Sequence, residues 1–147
     1  MKTALSPHNR PQRLPAARRN SFKVPLTKAL SRIPIGNVLS SPTYRALETV
    51  RLAQFGARHT FVELGDNGQS MQGGTAAQAE WLQKQVAHFP TGTNTIVVTH
   101  LPNITGAFPQ LASGLADGEA LIFGPDAKGK AILVTRVKID EWPAMRF

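Results

Sequence analysis

Cysteine is missing from all 147 residues, which excludes disulfides and thiolate metal sites. No apolar run approaches the roughly 18 residues that a membrane-spanning helix needs, and no apolar core near the first residues marks a secretory signal. Internal repeats and low-complexity tracts are also missing. Acidic residues do not occur in residues 1–47, which hold nine cations: Lys2, Arg10, Arg13, Arg18, Arg19, Lys23, Lys28, Arg32 and Arg45. Residues 48–147 balance eight Lys and Arg against nine Asp and Glu, so the net charge of +8 belongs to the first third alone. A basic stretch of this kind attracts polyanions. Its first 40 residues hold one aromatic, Phe22, and no base-stacking pattern, so nucleic acid is not expected as a partner.

Residues 1–20 carry Pro7, Pro11 and Pro15 among five cations and show no apolar period. They read as a disordered basic arm, and the prolines oppose the amphipathic helix of a transit peptide. Residues 21–147 read as one domain, long enough for a real core. His8 follows no predicted strand and precedes no glycine, so it is set aside as a catalytic residue.

What is present is an alternation of apolar strands and amphipathic helices. A helix is expected near Leu26, then strands at about 37–40, 59–64, 95–99, 119–123 and 131–138. Ser41 caps and Pro42 opens a helix over 43–55 that Gly56 ends. A polar, glycine-rich loop spans 66–74. A second helix over 75–89 has Ala79, Leu82, Val86 and Phe89 on one face, joined by Trp81, with its Gln and Lys residues solvated. A short helix, broken near Pro109, follows over 103–113. The last two strands pair antiparallel about the turn at 126–129. This pattern predicts a three-layer α/β sandwich with a mainly parallel sheet.

Chemistry is expected at two strand ends. The run at residues 95–99 is a buried strand that delivers His100 to its carboxyl end, where open α/β sheets bind ligands. The same placement suits a hydrogen-bonded structural histidine. Arg45 stands in the first turn of the 43–55 helix. There it either grips an anion in bidentate fashion, helped by the helix N-terminus, or pairs with nearby Glu48.

Residues 38–49, VLSSPTYRALET, followed by VVTH at 97–100 and a closing hairpin, resemble the histidine phosphatase superfamily, the phosphoglycerate mutase-like fold. The likeness covers residues 33–142, and the Ser-Pro-x-x-Arg-Ala-x-Glu-Thr run carries most of it. The resemblance implies phosphomonoester hydrolysis through a phosphohistidine, without metal or cofactor, on a phosphorylated small molecule. It implies phosphate binding by Ser41, Arg45 and His100, with His100 and Arg45 stabilising the transferred group. It also implies a carboxylic acid at the leaving oxygen, for which Glu63 and Glu119 are the candidates. The family's Arg-His-Gly motif, which holds its nucleophile, has no match in the arm. Three readings stay open: a chain cut short of that motif, a non-catalytic anion-binding relative, or a different α/β protein.

Overall fold

The computed structural model describes residues 2–5, 33–66 and 75–141, with the backbone alone for residues 2–5. In chain order the elements are β1 (Lys2–Leu5), β2 (Ile35–Ser40), α1 (Tyr44–Ala53), β3 (His59–Thr60), a 3₁₀ turn (Val62–Leu64), α2 (Ala76–Ala87), β4 (Asn94–Val98), α3 (Leu101–Ala107), β5 (Ala120–Pro125) and β6 (Ala131–Val137). The strands form one sheet in the order β3–β2–β4–β1–β5–β6. β1 and β2 both run parallel to β4, and β3 runs parallel to β2. β5 and β6 are antiparallel to their neighbours, the pair making the expected hairpin. The fold is the expected α/β sandwich with a mainly parallel sheet.

Strand alternation builds the layers. Val38, Ile96, Val98, Ala120 and Ile122 face one side, where Ala46, Val50 and Ala53 of α1 cover them. Leu39, Val97, Leu121 and Phe123 face the other, against Leu82 and Val86 of α2 and Ile104 and Ala107 of α3. The spacings 46/50/53 and 104/107 are one helical face each. Ile96, Val97 and Val98 of β4, buried on both sides of the sheet, form a continuous apolar run. Right-handed crossovers explain the sides. The step from β2 to β3 and the step back from β3 to β4 go in opposite directions, so their helices lie on opposite faces.

Several boundaries differ from expectation. Residues 2–5 are not part of a disordered arm: they form β1, inside the sheet. Leu5 is level with Val98 on β4 and with Ala120 on β5. Backbone hydrogen bonds to a neighbour on each side outweigh the basic composition of the stretch, whose prolines begin only at Pro7. The rest of that arm, the helix expected near Leu26 and His8 lie outside the described residues. The strand at 59–64 is two residues long, because the backbone turns into the 3₁₀ segment that buries Leu64 completely. The cap of α1 is Thr43 rather than Ser41, and Gln54, in the left-handed region at φ 58°, closes it before Gly56. The helix after His100 starts at Leu101 and ends at Ala107. Gln78 of α2 is buried, not solvated: it completes a capping box with Thr75 and donates to the Gly65 carbonyl at 3.0 Å.

Leu121 is fully buried in the middle of the α2/α3 side. Leu121→Ala should cost about 2–5 kcal/mol of stability in urea unfolding. Val134, 62% exposed on β6, should tolerate Val134→Ala within about 0.5 kcal/mol.

Candidate functional site

The carboxyl ends of β2 and β4 are adjacent, with Ser40 level with Val98. The Ser41 N–H donates to the Val98 carbonyl at 2.9 Å, carrying the pairing one residue past the strand. From there α1 leaves toward one face and α3 toward the other. Two neighbouring strands that send their helices to opposite faces open a crevice between them, the place where α/β sheets bind ligands.

Ser41, Thr43 and His100 meet in that crevice. His100 Nε2 lies 2.9 Å from Ser41 Oγ and 3.1 Å from Thr43 Oγ1. Ser41 Oγ also accepts the Thr43 N–H at 3.2 Å. Both hydroxyls can accept from a protonated Nε2 or donate to a bare one. His100 is 1% exposed and serves as the N-cap residue of α3 through its backbone, while its side chain turns toward β2. Thr43 was not singled out from the sequence. The signal was available, since a residue two past a strand-end serine and next to a helix start shares the same crevice.

Arg45 stands in the first turn of α1, two residues past Thr43, and is buried. Glu48, the alternative partner weighed for it, forms an ion pair with Arg51 at 3.2 Å. An imidazole and two hydroxyls thus share one strand-end crevice with the opening of a ten-residue helix, whose first turn carries Arg45. That donor set matches an oxyanion.

The two candidate acids part company. Glu119 is buried just before β5, and Arg136 of β6 donates to its Oε2 through Nε at 2.9 Å. Arg136 Nη1 continues to the Ser113 carbonyl at 3.1 Å. This ion pair clamps the hairpin and accounts for the burial of Glu119 without any chemistry. Glu63 is half-buried in the 3₁₀ turn on the site side of the sheet. Its segment is held by side chains from elsewhere. Asn103 Nδ2 donates to the carbonyls of Glu63 at 3.3 Å and Gly65 at 2.9 Å, and Thr99 Oγ1 to that of Leu64 at 2.8 Å. Asn103 lies three residues past His100, so the same turn that presents the histidine also ties down the Glu63 segment.

Among the described residues, no group of three or more His, Asp or Glu is placed to hold a metal ion, and no helix is long and apolar enough to cross a membrane.

Removing the Glu119 carboxylate would strand the Arg136 guanidinium, which is one third exposed. Glu119→Ala should therefore lower stability by on the order of 3 kcal/mol in urea unfolding, whereas Glu63→Ala, at a half-buried carboxylate, should cost under about 1 kcal/mol.

No family model matches the chain, and no curated protein matches it by sequence. Solved structures do match by shape. The protein histidine phosphatase SixA complexed with tungstate superposes with a TM-score of 0.67 at 14% identity, over 95% of this chain and 97% of that one. The Rv3214 protein of Mycobacterium tuberculosis gives 0.67 at 15% identity, over 91% and 95%. A phosphoserine phosphatase of Entamoeba histolytica, in complex with 3-phosphoglyceric acid, gives 0.63 at 15% identity, over 92% and 96%. The fold is that of the histidine phosphatases and phosphoglycerate mutases.

Proposed function

We propose that this chain of histidine phosphatase fold binds phosphomonoesters, seating the phosphoryl group on Arg45, His100, the Ser41 and Thr43 hydroxyls and the start of α1. One observation carries the reading: the His100 imidazole and two hydroxyls from the neighbouring strand end lie within 3.2 Å of one another, with Arg45 two residues past Thr43 in the first turn of α1. The SixA neighbour was solved with tungstate, an oxyanion of phosphate-like shape, which supports the same ligand class here.

In the resembled family the reaction needs a second histidine as nucleophile, following the first strand in Arg-His-Gly. The corresponding stretch here reads Ser6-Pro7-His8-Asn9. Pro7 supplies no cation, and without an arginine beside the nucleophile the transferred group lacks half of its charge neutralisation. Binding without efficient turnover is therefore the primary reading. Glu63 would be the acid at the leaving oxygen, since Glu119 is committed to Arg136.

A second reading, hydrolysis through His8, is favoured by β1. The strand missing from the sequence reading is present, and it ends at Leu5, level with Val98 of β4. His8 follows three residues later in the chain, and three residues reach at most about 11 Å. Its placement lies outside the described residues.

Calorimetric titration with inorganic phosphate tests the seat. Arg45→Ala should weaken phosphate at least about tenfold, and Arg45→Lys should recover only part of it, because an ammonium cannot reproduce the bidentate grip. Equal affinity in wild type and Arg45→Ala would remove the proposal. Turnover of p-nitrophenyl phosphate should be negligible. Robust turnover lost in His8→Ala would replace the primary reading with the second.

A further inference from the structure

The turn that presents His100 is tied on both sides to one distant segment. Thr99, the residue before it, is fully buried and donates from Oγ1 to the Leu64 carbonyl at 2.8 Å. Asn103, the third residue of α3, donates from Nδ2 to the Glu63 carbonyl at 3.3 Å and to the Gly65 carbonyl at 2.9 Å. Consecutive carbonyls of residues 63–65 are thus bonded to the residues that flank His100. The same segment reaches the other strand end, where the Phe61 N–H donates to the Ser40 carbonyl at 3.0 Å. Residues 61–65 therefore bridge the ends of β2 and β4, the two ends that supply Ser41 and His100.

Asn103 is an unfavourable choice for burial alone. It is 3% exposed, and among the described residues its Oδ1 has no hydrogen-bond partner. A buried acceptor left unbonded works against folding. The Gly65 carbonyl also accepts from Gln78 Nε2 at 3.0 Å, so it would stay paired without Asn103. An apolar residue of similar size would avoid the idle acceptor. What it would lose is the fixed spacing between the His100 turn and residues 61–65. The backbone passes that spacing on: the Asn103 and Ile104 N–H groups donate to the His100 carbonyl at 3.0 and 3.2 Å, so a shift of Asn103 carries His100 with it.

We propose that Asn103, together with Thr99, is a positioning residue of the phosphate seat. Through the carbonyls of residues 63–65 the pair holds the His100 ring at its distance from the Ser41 and Thr43 hydroxyls, while their own side chains stay committed to those carbonyls. This rests on the phosphate seat proposed above. Donors aimed at one anion lose much of their value when displaced by about an ångström.

Calorimetric titration with inorganic phosphate and proton NMR of the His100 ring test this on the full chain. Asn103→Leu should weaken phosphate at least about fivefold, a factor readily resolved as a difference in binding free energy. It should also shift the His100 ring-proton signals before any phosphate is added. Gln83→Leu is the control, since it removes an amide-to-carbonyl bond at the far end of the same helix, Gln83 Nε2 to the Ala107 carbonyl at 2.9 Å. It should leave phosphate affinity within about twofold of wild type and the His100 signals in place. Thermal melts check that both variants fold. If Asn103→Leu does not fold, Thr99→Val, nearly isosteric and lacking the Leu64 bond, is read by the same two measures. Unmoved His100 signals, or affinity within about twofold of wild type, in the folded variant overturns the inference. An equal loss of affinity in Gln83→Leu overturns it too, because any loosening of α3 would then weaken the seat. Phosphate binding that is lost in Arg45→Ala but kept in Asn103→Leu sinks the inference and leaves the seat standing. No phosphate binding by the wild type removes the seat and this inference together.

Discussion

The parallel pairing of β2 with β4 is the constraint from which the site follows. It sets Ser40 level with Val98, and one further backbone bond, Ser41 N–H to the Val98 carbonyl, fixes both strand ends at the same height. A slip of one residue would turn every side chain of β2 to the other face. Val38 would leave α1, Leu39 would leave α2 and α3, and Ser41 would no longer meet His100. The apolar register of the core and the polar geometry of the crevice are therefore one decision. α1 packs on one face of the sheet and α3 on the other, which keeps the crevice open between them.

This end of the sheet buries many polar groups: Ser40, Ser41, Thr99, His100 and Asn103 are all under 4% exposed. Such burial is costly unless each group is bonded. Ser40 Oγ donates to the Ser41 carbonyl, Thr99 to Leu64, and Asn103 to Glu63 and Gly65, while His100 meets the two hydroxyls. The bonds run between β2, the 3₁₀ turn and the β4–α3 turn, so the loops that shape the crevice are held by side chains rather than by a strand ladder. Polar residues of this density would be a poor choice for a purely structural corner, where apolar packing does as well at less risk. They suit a pre-organised seat, in which donors are in place before a ligand arrives.

Much of this was legible before the fold was known. The 95–99 run ending in His100 and the strand–Ser41–Pro42–helix–Arg45 sequence carry strong local signals, and both strand and helix formed there, although the cap fell on Thr43 instead of Ser41. The hairpin about 126–129 was equally clear, with Asp126 Oδ1 accepting the Lys128 and Lys130 N–H groups. β1 was not legible. Lys2–Leu5 is four residues long with one strongly apolar side chain, and its strand state comes from β4 and β5 on either side, not from propensity. The 3₁₀ turn was hidden for the same reason: residues 61–64 look extendable, and the donors that bend them, Thr99, Asn103 and Gln78, are distant in sequence. Glu119 could not be assigned without Arg136, seventeen residues on.

A crystal structure of the chain soaked in tungstate tests the central claim most directly. The account predicts one oxyanion in the crevice beyond β2 and β4, with an Arg45 guanidinium nitrogen, a His100 ring nitrogen and a Ser41 or Thr43 hydroxyl each about 3 Å from its oxygens. Well-ordered tungstate bound elsewhere, with Arg45 and His100 contacting none of it, would contradict the account.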